Sequence, residues 1–221
     1  MNCKKKEILK RKIRDKHNCG SLNCPRCVKN SILIDKMDEA NIPAGYWLVG
    51  INNFSDTSNL KDLTTKYVTN LEQMYELGKS ICFSGNQGIG KTMSAICILK
   101  SALKKNYSAY YITASDLLAE ITTKGNFDLR TIIKNIDFLV IDELDSRFFV
   151  SNSTKELFSG IYESIFRTRA TNLLPTIICT NETDDLLNVF YGPAVQSIDS
   201  LNHQYLSIYP VTGVDYRKKT Q

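Results

Sequence analysis

Residues 85–92 read Gly-Asn-Gln-Gly-Ile-Gly-Lys-Thr, a spacing suited to holding a polyphosphate. Glycine at 85, 88 and 90 lets the backbone turn sharply and approach an anion with no Cβ in the way. The amides freed by such a turn, and the start of the helix that follows, then face the phosphates. Lys91 would pair with the β- and γ-phosphates, and Thr92 would offer its hydroxyl to Mg²⁺. The candidate cradle comprises Gly85, Asn86, Gln87, Gly88, Ile89, Gly90, Lys91, Thr92 and Met93. The motif needs a strand before it and a helix after it. The apolar run 80–83 and the helix-like run 93–103 supply them.

Fifty residues on, Phe138-Leu-Val-Ile-Asp-Glu143 reads as a buried parallel strand that delivers carboxylates at its carboxyl end. Asp142 would hold Mg²⁺ through its hydration shell, and Glu143 would orient and polarise an attacking water. A further strand over 175–180 ends at Asn181, whose amide could reach the γ-phosphate or that water. With Lys91, these residues form the candidate catalytic set. No Asn-Lys-x-Asp run is present to read guanine, so ATP is favoured.

A second cluster lies near the start of the chain. His17, Cys19, Cys24 and Cys27 fall within eleven residues, and Cys24-Pro-Arg-Cys27 has the spacing with which two thiolates grip a tetrahedral Zn²⁺. Cys19 would be a third ligand, with His17 or Cys3 as the fourth. So short a module has almost no core of its own, and the metal would supply its folding energy. Cys82, Cys97 and Cys179 sit in apolar runs and read as small buried hydrophobes.

The elements that must position these groups alternate strand and helix, which predicts an α/β fold with a parallel sheet flanked by helices. A helix is expected over 59–77, another over 116–123 capped by Ser115, and a third over 129–135. The 221 residues suit one substantial domain with a small appendage. The expected layout is a basic arm and zinc-binding module over 1–30, a linker and lead-in helices over 31–78, an ATPase core over 79–217 and a tail over 218–221. Residues 1–30 hold ten Lys/Arg against two acidic residues, while 31–221 hold 18 against 21. The positive field therefore belongs to the first 30 residues and suits nucleic acid or an acidic partner. No apolar stretch approaches bilayer-spanning length and the start does not read as a secretory signal, so a cytoplasmic protein with no membrane partner is expected.

With these motifs in place, the chain resembles the AAA+ ATPases, and within them the DnaC/DnaI-type replicative helicase loaders, including phage-borne versions. The likeness covers about residues 32–217. It is carried by Asn41-Ile-Pro-Ala-Gly-Tyr-Trp47, by Asp116-Leu-Leu118 through Asp142, by Arg169 to Asn181 with its Pro175-Thr-Ile-Ile178, and by the closing Gly213-Val-Asp-Tyr-Arg217. The resemblance implies a slow or partner-stimulated ATPase with Mg²⁺, homo-oligomer assembly beside a hexameric helicase, and contact with single-stranded DNA during replication initiation. It gives Asn181 a sensor I role and makes Arg217 a sensor II-like arginine near the γ-phosphate.

One departure from the family's pattern stands out. Ile198 occupies what looks like the place of the arginine that reaches a neighbour's ATP, and no Arg or Lys lies between 170 and 216. A finger arginine is worth roughly three to five decades in rate. Its absence points to slow hydrolysis, to Arg167 or Arg169 as substitutes, or to an arginine supplied by a partner. Only 40 residues follow Asn181, too few for a full helical lid. Lys124, Arg130 and Lys134 are candidates for DNA phosphates, with Tyr107, Tyr110 and Tyr111 as stacking candidates better explained as strand residues. Rival readings are an IstB-like ATP-dependent transposase helper, an ATP-binding DNA-binding regulator that hydrolyses little, and a small-molecule P-loop kinase.

Overall fold

The computed structural model describes residues 7–9, 11–12, 24–54, 59–122, 131, 133–145, 151–182, 194–213 and 215. Helix α1 (Pro25–Glu39) is followed by two short 3₁₀ turns, Ala44–Tyr46 and Ile51–Asn53. Then come α2 (Leu60–Thr69), α3 (Leu71–Glu76), β1 (Ser80–Ser84), α4 (Lys91–Lys104), β2 (Ala109–Thr113), α5 (Ala114–Thr122), β3 (Phe138–Asp142), α6 (Asn152–Thr171), β4 (Thr176–Thr180), α7 (Ala194–Tyr205) and β5 (Leu206–Pro210). The five strands form one sheet in the order β2-β3-β4-β1-β5, with every pairing parallel. The expected α/β class is the observed one.

Strands β1, β3 and β4 are buried along their whole length because both faces of the sheet are covered. Side chains alternate between the two faces with a period of two. Ile81, Phe83, Tyr111, Phe138, Val140, Ile177 and Cys179 join the core formed with α1, α2, α3 and α4, to which Ile34, Leu60, Leu71, Ile96 and Leu99 contribute. Cys82, Ile112, Leu139, Ile141 and Ile178 face the other way, toward Leu117 of α5 and toward Phe158, Tyr162 and Phe166 of α6. Those three aromatic rings follow one another along α6, with centroid separations of 6.2 and 5.6 Å. Burying each is worth about 2–3 kcal/mol.

Local chemistry corrects several sequence expectations. The helix expected over 59–77 is two helices, broken at Asn70 (φ −101°, ψ 24°), whose side-chain amide donates back to the Lys66 carbonyl at 2.9 Å. Ser115 is not the cap of α5. The helix starts at Ala114, and Thr113, the last residue of β2, accepts the Asp116 amide on its Oγ1 at 3.1 Å. Helix α1 runs unbroken through residue 30, with Cys24 at its N-cap position. The fifth strand is a finding that the sequence reading did not anticipate. Described residues beyond Asn181 form α7 and β5, and β5 completes the sheet beside β1.

Arg169 is the largest correction. Neither solvent-facing nor at the phosphate-loop end of the sheet, it is 0% exposed at the amino ends of β3 and β4. Its Nε donates to Thr176 Oγ1 (2.9 Å), Nη1 to the Ile133 and Ile136 carbonyls (both 2.8 Å), and Nη2 to the Asp137 and Pro175 carbonyls (3.2 and 2.6 Å). All five N–H donors are used. Burial pulls the guanidinium down to about 9, opposed by the nearby Asp137 carboxylate, so it stays charged at neutral pH. Asp137 is itself held by the Tyr75 hydroxyl at 2.6 Å and by the amide and hydroxyl of Ser108 at 2.8 and 2.7 Å.

Candidate functional site

Parallel pairing brings the carboxyl ends of β1, β3 and β4 to one edge of the sheet, with Ser84 beside Thr180 and Ile141 beside Ile178. The phosphate-loop sequence leaves the tip of β1, and α4 begins at Lys91. Gly85, Gly88 and Gly90 have φ of 150°, 78° and 100°, a region that L side chains avoid. Space is lacking as well. A Cβ on Gly85 would strike the Val211 carbonyl, and one on Gly88 would strike the Asp215 carboxylate. The loop is thus lined by bare backbone, with Ile89 buried beneath it and Asn86 and Gln87 exposed. Thr92 and Met93 lie half-buried in the first turn of α4.

Lys91 is 7% exposed. Its Nζ donates to the Gly85 and Asn86 carbonyls, both at 2.6 Å, and to Asn181 Oδ1 at 3.0 Å. These acceptors are neutral, and a phosphate oxygen is a stronger partner for the same ammonium. The amide of Asn181 continues the chain, its Nδ2 donating to Asp145 Oδ2 at 3.1 Å. Asp145 is 1% exposed and lies three residues past β3, where the Leu144 amide bonds the Cys179 carbonyl at 2.9 Å and ties this turn to β4. Asp145 escaped the sequence reading. Its signal was present in Asp142-Glu-Leu-Asp145, but a second acid after a strand is common, and only the fold shows it under Asn181.

Asp142 is 2% exposed. Its Oδ1 accepts the Glu143 amide at 2.9 Å, and its Oδ2 accepts the Tyr111 hydroxyl at 2.7 Å. Burial and the neighbouring Asp142 charge hold the Tyr111 phenol far above its ordinary range, so it is the proton donor of the pair. The Cys179 thiol also bonds this carboxylate, whose two oxygens offer four lone pairs to these three donors. With the Thr92 hydroxyl, the carboxylate oxygens are hard ligands of the kind that suit Mg²⁺. Glu143 is exposed and sits at φ 56°, a left-handed conformation that costs an ordinary residue about 1–2 kcal/mol. The backbone turns abruptly there, immediately after Asp142.

The fold therefore gathers Lys91, Asp142 and Asn181 with their phosphate-loop neighbours at one sheet edge, and Glu143 beside them. The other candidates separate. Tyr111 is a carboxylate partner in the core and no stacking platform, while Tyr107 packs against Tyr75 and Phe138 with centroids 4.6 and 5.4 Å away. Tyr110 is half-buried on β2. Arg167 is exposed and joins α6 to α7 through Glu163, at 2.8 Å, and Ser197. Lys134 donates to Ser164 Oγ at 3.2 Å. Lys124, Arg130, Arg217, Cys3, His17 and Cys19 lie outside the described residues, as do the side chains of Cys27 and Ile198. Among the described residues no group of three or more His, Cys, Asp or Glu is gathered for a metal ion, and no helix is long and apolar enough to cross a membrane. Cys82, Cys97 and Cys179 are buried as expected. Burial pushes the Cys82 thiol up to about 12 and holds Cys179 well above its ordinary value, which makes them poor nucleophiles.

Comparison with known proteins agrees with this geometry. The family model described as IstB-like ATP binding protein matches residues 37–221. A Geobacillus stearothermophilus protein named as an ATP-binding protein of insertion sequence IS5376 is 31% identical over 147 residues. That match takes in 63% of this chain and 55% of the relative, so the chain spans just over half of that protein's length. Among solved structures, DnaI superposes with a TM-score of 0.65 at 18% identity, over 79% of this chain and 93% of that one. The DnaC helicase loader does so with a TM-score of 0.62 at 22% identity, over 77% and 100%. At such identities these two establish a shared AAA+ fold. The family match extends over most of the chain: this protein belongs to the IstB-like ATP-binding family of AAA+ proteins.

Proposed function

We propose that the chain is an ATP-dependent loader of a hexameric replicative helicase, a nucleotide switch that hydrolyses ATP slowly or on partner contact. The observation that carries the ATP part is the run Lys91–Asn181–Asp145 beside Asp142. It links the phosphate loop, the tip of β4 and the turn after β3 through bonds of 3.0 and 3.1 Å. Lys91 and the loop amides hold the β- and γ-phosphates. Asn181 changes partner when a γ-phosphate arrives, and Glu143 orients the water. Mg²⁺, held by Thr92 and Asp142, supplies charge neutralisation at the phosphates when bound. Arg217 completes the site from the closing segment. The loader part is supported by the likeness to DnaI and to the DnaC helicase loader, whose chains are matched almost end to end. In this reading residues 1–30 form a basic, zinc-bound docking module with ligands Cys19, Cys24, Cys27 and His17 or Cys3. Lys124, Arg130 and Lys134 contact single-stranded DNA, a homo-oligomer forms on the helicase, and the protein works in the cytoplasm.

A second reading has its own support. The insertion-sequence relative and the family to which the chain belongs favour an ATP-dependent helper of a transposase. Affinity capture with a non-hydrolysable ATP analogue, set against a replicative helicase and a transposase in parallel, separates the two. Helicase retained only with nucleotide supports the loader; transposase retained instead overturns it. Elemental analysis of the folded protein checks the zinc module, which falls if no zinc accompanies the chain.

A further inference from the structure

Among the described residues, strand β2 is paired with β3 on one side only, and the outward-facing backbone of its central residue is taken up by the segment that follows α1. The Tyr111 amide donates to the Ala40 carbonyl at 2.9 Å, and the Tyr111 carbonyl accepts Asn41 Nδ2 at 2.9 Å. Asn41 sits at φ 55°, a conformation that asparagine tolerates better than most residues, and this places its amide over β2. The side chain of the same tyrosine reaches the neighbouring strand β3 and donates its hydroxyl to Asp142 Oδ2 at 2.7 Å, inside the protein. One residue thus joins the lead-in segment on its backbone to the metal-side carboxylate on its side chain.

The hydroxyl has a definite mechanical consequence. The Asp142 carboxylate is also bonded by the adjacent Glu143 amide, on Oδ1, and by the Cys179 thiol of β4. The phenol adds a donor from β2 to these, and with a hydroxyl on Oδ2 and an amide on Oδ1 the carboxylate plane is restrained about its last torsion. Outer partners of this kind typically change metal affinity by about ten- to a hundredfold.

We propose that Tyr111 is the positioning residue that aims Asp142 at nucleotide-bound Mg²⁺, and that the Ala40–Asn41 segment regulates the site by gripping the Tyr111 backbone. This rests on the ATP reading above and adds a route by which an event on the first 40 residues reaches the metal side of the site. Tyr111 does not touch the nucleotide in this scheme.

The test is a Mg²⁺ titration of binding to a fluorescent ADP analogue. Tyr111→Phe keeps the ring in the core and removes the hydroxyl; it should raise the half-saturating Mg²⁺ about tenfold while leaving analogue affinity in EDTA unchanged. Asn41→Gly keeps the left-handed backbone and removes the amide; it should move the midpoint the same way, by about threefold. If Tyr111→Phe gives the wild-type Mg²⁺ profile, the positioning role is overturned. If it shifts the profile and Asn41→Gly does not, the lead-in segment's part is overturned. Should Tyr111→Phe fail to fold, the Asn41→Gly profile decides alone: a shift supports the link and wild-type behaviour sinks it. A wild-type chain that binds no nucleotide overturns the ATP reading itself, an outcome distinct from variants that bind with an unaltered profile.

Discussion

At the amino ends of β3 and β4 a buried cation has spent every donor; at the carboxyl ends of the neighbouring strands another holds partners that a better ligand could replace. Arg169 uses five N–H groups on four carbonyls and a hydroxyl, with Asp137 nearby to offset its charge. Lys91 rests on two carbonyls of its own loop and on Asn181. Both are almost wholly buried, so burial alone does not separate structural charge from functional charge. The separation comes from what the partners are. A rigid fork saturated by four backbone carbonyls and a hydroxyl from two segments has nothing left to exchange. An ammonium held by neutral oxygens at a glycine-lined loop has a reason to move when an anion enters.

Substitutions at the two ends should therefore fail differently. Arg169→Lys should have the largest effect, costing about 2–4 kcal/mol in urea unfolding, because a single ammonium cannot reach acceptors spread over the fork. Its analogue affinity, measured on protein that remains folded, should stay near wild type. Lys91→Ala should do the reverse, with analogue affinity falling about a hundredfold and the unfolding midpoint scarcely changed. Equal losses of stability in the two variants would dissolve the contrast. Asp145→Asn probes the intermediate case, since it keeps the volume but alters what Asn181 can bond. ATP turnover should drop about fivefold with ADP affinity retained, and matched losses in both would make Asp145 a folding residue.

A third buried cation gives the smallest and most pH-specific effect. Lys100 of α4 donates to the carbonyls of Tyr46, Trp47 and Val49, and so fastens the lead-in turns to the phosphate-loop helix. Burial pulls its ammonium down to about 8. The folded chain thus sheds this proton at a pH where the unfolded chain still keeps it, so this group's contribution to stability rises from about pH 8 toward the ordinary lysine range near 10. Lys100→Met should flatten that slope in a series of unfolding midpoints; an unchanged slope would assign it to other groups.

How much of this could be read from the chain differs between the same two ends. The phosphate loop was legible because its chemistry is local: eight consecutive residues carry glycine spacing, lysine and hydroxyl together. Asp142 and Asn181 were legible because each ends an apolar run whose burial a parallel sheet demands. Tyr111 and Asp145 were not, because their roles depend on register. Only the pairing of Thr113 with Asp142 sets the Tyr111 hydroxyl at the right height, and no spacing rule encodes that. Arg169 was misread for a related reason. Arginine near the end of a long helix is usually wet, and its acceptors lie 6 to 36 residues away in sequence. Strand β5 was missed because Leu206-Ser-Ile-Tyr-Pro is short, and only Leu206 is buried.

That late strand has a bearing on how the protein is made. Ser80–Ser84 sits between β4 and β5, so its outer edge stays open until residues 206–210 emerge from the ribosome. Lys91, Asp142 and Asn181 have all been synthesised well before then, yet the strand that launches the phosphate loop still offers unpaired backbone to any passing chain. Nascent or truncated forms that stop short of β5 are therefore where chaperone dependence and self-association should concentrate, and ligand added during synthesis should not rescue them.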